Sequence, residues 1–365
     1  MATITQAQVQ IYIYTGTFGS IPATPQYTLV KDKLSSETII GFEVAELIKD
    51  YIDVTFTGDY ENIEQSAWVH FKITRSFDND TTDTLTRDVI AFTGYGEFED
   101  GINPKLSNGF LLSNTNIYIN NNDIAYLPFY KSNEKDNAFK VEYLKGSSTI
   151  LTEFVSGSVL ELTSDTTNIK ADSTGFKADA TRKRSSNSKE FKKHSEVPNE
   201  ATSVKLTLAD GTIDTRTIYR IDECKYDPCK ISFINKFGVI QDLYFFKRKD
   251  DSFESERDDY HKSILSRSTS TTYDLFTHSK KTIDIKATKK FIANTGYVTE
   301  DHNEVIKQLM VTEYCWIHKG IDGEQTVVPV MPTSTSFVEK KEVTDKLLNF
   351  TVEFEYANNF IQNIR

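Results

Sequence analysis

Apolar and polar positions alternate with period two along most of this chain, and that period marks half-buried β-strands. Val9-Gln10-Ile11-Tyr12-Ile13-Tyr14 predicts a first strand, ended by Gly16 and Gly19, and Gln26 to Val30 a second. Trp68 to Arg75 alternates cleanly: Trp68, His70, Lys72 and Thr74 share one face, and Val69, Phe71, Ile73 and Arg75 the other. The Asp78-Asn79-Asp80 cluster predicts a turn, with Leu85 to Phe92 as the returning strand. Further strands are expected at Ile117-Tyr118-Ile119 and at Val204 to Leu208, the latter followed by an Asp210-Gly211 hairpin turn. Two apolar runs between Ile231 and Phe246 are split by Asn235-Lys236-Phe237-Gly238. Near the end come Val327 to Val330 and Leu347 to Tyr356, where Phe350, Val352, Phe354 and Tyr356 share one face.

Two segments change period. Phe42 to Ile52 predicts a helix with Val44, Leu47, Ile48 and Tyr51 on one face. Glu300 to Val311 predicts another, capped by Thr299, with Val305, Ile306 and Leu309 as its buried stripe. Two other segments lose all periodicity. Thr163 to Ala201 is almost free of apolar side chains, and Asp250 to His261 is charged and polar, which predicts a loop or short helix. The expected fold is mainly β: sandwich- or barrel-like domains with one or two short helices and long loops, chiefly Asp165 to Asn199 and Asp250 to Arg267. Residues 1–162 are expected to form an N-terminal β domain with one helix, 163–201 a basic Ser-rich loop or linker, and 202–365 a C-terminal β domain with one helix.

Composition sharpens this picture. Phe is 24, Tyr 18 and, by count, Thr 42, against Gly 16, Pro 8 and Trp 2, the residues that suit a pleated, half-buried surface. No apolar run approaches the roughly 18–20 residues of a membrane span, and Met1 to Val9 lacks the pattern of a signal peptide. Three cysteines in 365 residues exclude a disulfide scaffold. A net charge of −11 argues against a generally basic nucleic-acid binder.

Candidate chemistry is sparse. Cys224-x4-Cys229 with Cys315-x2-His318 carries the ligand types of a zinc site. Residues three apart on a strand face opposite sides, however, so buried free thiols are the expectation and no metal is assigned. The acidic turn Asp78 to Asp83 lacks the glycine and terminal glutamate of a calcium loop and predicts a solvated hairpin tip. There is no nucleophile elbow, phosphate loop or dinucleotide fingerprint, so no catalytic residue and no cofactor are assigned. The charge pattern has one anomaly: Arg182, Lys183, Arg184, Lys189, Lys192 and Lys193 make a basic run inside an acidic protein. These six are the candidate interface, suited to an acidic neighbouring subunit as well as to phosphates.

Four blocks resemble stretches in virion structural proteins of tailed phages that infect Bacteroidetes. They are Phe92-Thr-Gly-Tyr-Gly-Glu-Phe-Glu-Asp-Gly-Ile-Asn-Pro104, Ile234-Asn-Lys-Phe-Gly-Val-Ile-Gln-Asp-Leu-Tyr-Phe-Phe246, Asn303 to Leu309, and Asp345 to Asn358. Residues 157–199 have no counterpart. The resemblance implies a non-enzymatic particle component of tail, neck (connector) or baseplate that assembles in the host bacterial cytoplasm. It implies a ring-shaped homo-oligomer whose partners are its own copies and other virion proteins. Membrane is excluded, and nucleic acid enters only through the basic run. A receptor- or glycan-binding module at the tail tip is the alternative, with Trp68 or Tyr95 as stacking aromatics.

Overall fold

The computed structural model describes residues 3–15, 19–60, 66–100, 109–121, 123–131, 138–154, 170–172, 175–177, 190–193, 197–208, 211–263, 265–267, 271–273, 276, 278–321, 324–336, 338–339, 341, 348–358 and 360. The chain is mainly β, built of several sheets with no closed barrel among the described residues. It divides into two compact units: residues 1–222 with 233–242, and 223–232 with 243–365.

The first unit opens with β1 (Ile4–Tyr14), β2 (Tyr27–Asp32), helix α1 (Ala45–Lys49), β3 (Ser66–Phe77) and β4 (Thr82–Phe92). The strands form one antiparallel sheet in the order β2-β1-β3-β4. Its register explains its core. Val9, Ile11 and Ile13 stand opposite Ile73, Phe71 and Val69, and these side chains pack with Ile48, Ile52 and Ala67. The helix is shorter than its period predicts. Tyr51 N–H donates to Ile48 O and Ile52 N–H to Lys49 O, each at 3.0 Å, which tightens the chain into a 3₁₀-type turn after Lys49. Ile48 and Ile52 are therefore the buried pair, and Tyr51 is turned out to solvent.

The second sheet of this unit draws on β5 (Asn116–Asn120), β7 (Ala138–Lys145), β8 (Ser148–Phe154), β12 (Ser203–Leu208) and β13 (Ile213–Ile221), in the order β5-β13-β12-β7-β8. Only β13 with β5 pairs in parallel. Short strands β6 (Pro128–Lys131), β9 (Lys170–Asp172), β10 (Gly175–Lys177) and β11 (Glu190–Lys193) pair as β6 with β11 and β9 with β10. This corrects the expected division at 163–201. Strands from either side of that segment share one sheet, since β12 pairs with β7, and the chain first passes from one compact unit to the other after Asp222.

A seven-stranded sheet, β15-β14-β20-β21-β22-β19-β16, belongs mostly to the second unit, with the end of β14 and the start of β15 (residues 233–242 with their turn) grouped with the first. Its strands are β14 (Cys229–Ile234), β15 (Ile240–Phe245), β16 (Asp250–His261), β19 (Lys280–Asn294), β20 (Cys315–Ile321), β21 (Glu324–Pro332) and β22 (Thr351–Tyr356). A small hairpin, β17 (Leu265–Arg267) with β18 (Thr271–Tyr273), lies between β16 and β19. Helix α2 (His302–Val311) buries Val305, Ile306 and Leu309 as its period predicts, although Asp301 and not Thr299 is its N-cap. On the sheet, Phe354 stacks on Phe291 with ring centroids 5.0 Å apart and meets Phe245 edge-on at 5.6 Å. All three rings are fully buried. The expected loop at Asp250 to His261 is instead β16, one strand of a long ribbon.

Candidate assembly surface

A buried amide network helps to hold the first unit together. The turn between β14 and β15 is folded around Asn235, whose Oδ1 accepts from Phe237 N–H at 3.0 Å and Val239 N–H at 3.4 Å. Its Nδ2 donates to Leu111 O at 2.8 Å and to Gln241 Oε1 at 3.0 Å, and Gln241 Nε2 donates to Asn114 Oδ1 at 3.0 Å. Asn235, Gln241 and Asn114 are all buried, so this satisfied network fixes one arrangement of the turn. Beside it, Tyr60 Oη donates to the Asp242 carboxylate at 2.6 Å, and its ring stacks on Tyr126 at 4.0 Å. The cavity lined by Asn114, Tyr126, Gln241 and Asp242 measures about 20 Å³, room for one water and not for a substrate. An open cleft of about 280 Å³ beside the end of β1 offers one charged group, Asp53.

The thiols lie in the second unit. Cys229 and Cys315 are buried and Cys224 is exposed. Burial pushes the Cys229 thiol up to about 11 and raises that of Cys315 well above the usual thiol range, with the neighbouring Cys229 adding to the rise. Both are thus held as neutral core thiols. His318 Nε2 lies 2.7 Å from Ser232 Oγ, and among the described residues no three His, Cys, Asp or Glu side chains converge on a common point. At pH 8 a thiol-alkylating reagent is expected to label Cys224 alone in the folded protein and all three cysteines in urea. Peptide mass spectrometry checks this, and native labelling of Cys229 or Cys315 contradicts it.

The acidic turn is also internally occupied. Arg75 makes a bidentate pair with Asp83, with Nε to Oδ1 at 2.8 Å, and this hydrogen bonding holds the Asp83 carboxyl below its ordinary range. Asp78 accepts from Thr3 N–H at 3.0 Å, and Asn79 Oδ1 accepts from Thr81 Oγ1 at 2.6 Å. Of the basic run, Arg182, Lys183, Arg184 and Lys189 lie outside the described residues, while Lys192 and Lys193 sit on β11 opposite Phe129 and Pro128 of β6. Trp68 is 8% exposed and so is closed to a sugar, whereas Tyr95 is 37% exposed.

What remains is the β16–β19 ribbon. Asp250 to His261 pairs antiparallel with Lys280 to Ile292, and every β16 residue except Asp259 is exposed. At about 3.3 Å per residue such a strand runs about 40 Å. The strands differ in charge. β16 has six carboxylates (Asp250, Asp251, Glu254, Glu256, Asp258, Asp259) against Arg257, a net −5, and β19 has five lysines (Lys280, Lys281, Lys286, Lys289, Lys290) against Asp284, a net +4. Ion pairs bridge the two strands: Lys280 Nζ lies 2.8 Å from Asp259 and Lys290 Nζ 2.9 Å from Glu254. The Lys280 hydrogen bond lowers the Asp259 carboxyl below its ordinary value, and the Glu254 bond raises the Lys290 ammonium. Apolar side chains stand out on it as well, Phe253 at 56% and Ile283 at 70% exposure.

The chain matches no known protein family model, no curated protein and no solved structure.

Proposed function

We propose that this chain is a structural component of a tailed-phage particle, a ring-forming tail, neck or baseplate protein whose work is assembly and not catalysis. The resemblance of its four sequence blocks to virion proteins directs the reading, and one observation carries it: the exposed β16–β19 ribbon. A two-stranded ribbon alone is marginal in water, and its surface ion pairs each contribute little. With Phe253, Tyr260 and Ile283 exposed along it, the ribbon has the character of an arm whose remaining surface another molecule covers. Subunits of a closed ring meet head to tail through two different patches, which a projecting arm supplies on one side.

The test is the state of the full chain in solution. Light scattering at tens of micromolar is expected to give a mass of several protomers, and electron cryo-microscopy a closed ring. A monomer at every accessible concentration, coupled with absence of the chain from particles, overturns the reading.

A further inference from the structure

Among the described residues, sheet order leaves the ribbon with two unfilled edges. β16 is the last strand of its sheet, so its outer edge has no neighbour among the described residues. β19 is paired to β22 only from Lys290 to Asn294, so Lys280 to Lys289 has no strand partner among the described residues on the side away from β16. Among the described residues, each edge thus presents about ten residues of backbone without a strand partner, the arrangement that accepts a further strand. The edges carry opposite charge, −5 along β16 and +3 along Lys280 to Lys289 of β19 (four lysines against Asp284).

The ion pairs inside the ribbon do not use all of this charge. Glu256 and Asp258 on one strand, and Lys281 and Lys286 on the other, form no ion pair among the described residues. The register also sets Asp258 directly across from Asp284, a like-charge pair that weakens a ribbon standing alone. A cation brought in from outside relieves that repulsion.

We infer that the acidic edge of β16 in one copy docks beside the basic edge of β19 in a second copy, extending the ribbon head to tail from subunit to subunit. This rests on the ring-forming reading and names the surface and partner for it. Like edges repel: acidic against acidic or basic against basic brings charges of one sign together, so a two-fold edge pairing is disfavoured. The opposite-edge contact joins two different patches, and repetition of it closes into a ring when the rotation allows. Backbone hydrogen bonds supply much of the affinity, while the charges select which edge meets which.

The experiment uses two charge-reversed forms of the full chain, Glu256→Lys/Asp258→Lys and Lys281→Glu/Lys286→Glu, at 0.15 M salt. Each alone is expected to associate at least 100-fold more weakly than the natural chain and to scatter as a monomer where the natural chain assembles. Their equimolar mixture recovers association, at least to mixed pairs, because each form keeps the edge that the other has lost. Recovery in the mixture also shows that neither form is merely misfolded. If both forms assemble as the natural chain does, or if the mixture stays monomeric, this surface is wrong while the ring reading stands. A natural chain that never assembles removes both.

Discussion

Gly94→Ala is expected to destabilise the first unit by about 3 kcal/mol or more, among the largest effects available to a single methyl group. A Cβ at Gly94 collides with Lys236 O and meets Gly238 N and Phe237 C at 2.9 Å each. All three atoms are backbone, so no side chain can swing away. Relief needs the turn to move, but Asn235 pins that turn from inside, and Tyr95 N–H is bonded to Lys236 O at 2.9 Å. Gly238 faces the same crossing at a φ of +73°, where a Cβ also meets Gly94 N at 2.6 Å. The two tryptophans divide between the units, Trp68 in the first and Trp316 in the second. In a Trp316→Phe background, urea unfolding followed at Trp68 therefore reads the first unit. With a slope of about 3 kcal/mol per molar, the midpoint falls by about 1 M. Gly41→Ala, with open space around its Cβ, serves as the control and leaves the midpoint within error. An unchanged midpoint for Gly94→Ala shows that the crossing is not rigid.

Phe354→Ala is expected to cost the second unit about 3–5 kcal/mol, the range for emptying a buried aromatic site. The ring is fully buried between Phe291 and Phe245. Those neighbours lie on β19 and β15, so the void opens within the sheet and strand backbones limit its collapse. Urea unfolding followed at Trp316 in a Trp68→Phe background checks the value, and a loss below about 1 kcal/mol shows that the site refills. Phe354→Leu keeps most of the apolar volume and is expected to recover more than half of the loss.

The strands legible in the sequence are those with one buried face. β3 and β22 were readable because Val69, Phe71 and Ile73, or Val352 and Phe354, must face a core while their neighbours do not. α2 was readable for the same reason at its own period. β16 was not: nearly all of it is exposed, so it has no apolar alternation to detect. What signal it has is electrostatic, an acid-rich block at Asp250 to Asp259 balanced by a lysine-rich one at Lys280 to Lys290. Segregation of that kind can be read as two strands of one ribbon, but only once the two blocks are considered together. The run from Arg182 to Lys193 is conspicuous as charge against a contrary background, whereas Glu256, Asp258, Lys281 and Lys286 look ordinary one block at a time.

Local chemistry within the chain was enough to establish a β protein, its principal turns and the buried stripe of α2. Period-two alternation, turn residues such as Asn235 and Gly238, and helical spacing all act over fewer than ten residues, and the sequence contains them directly. Partnership was left to the tertiary structure. It alone joined β12 to β7, set β13 parallel to β5, divided the units first at Asp222/Glu223 and left the ribbon two edges without a strand partner among the described residues. Each of these depends on segments far apart in sequence finding complementary faces, a choice made by packing and backbone pairing across the whole chain and not by any one segment's own preference.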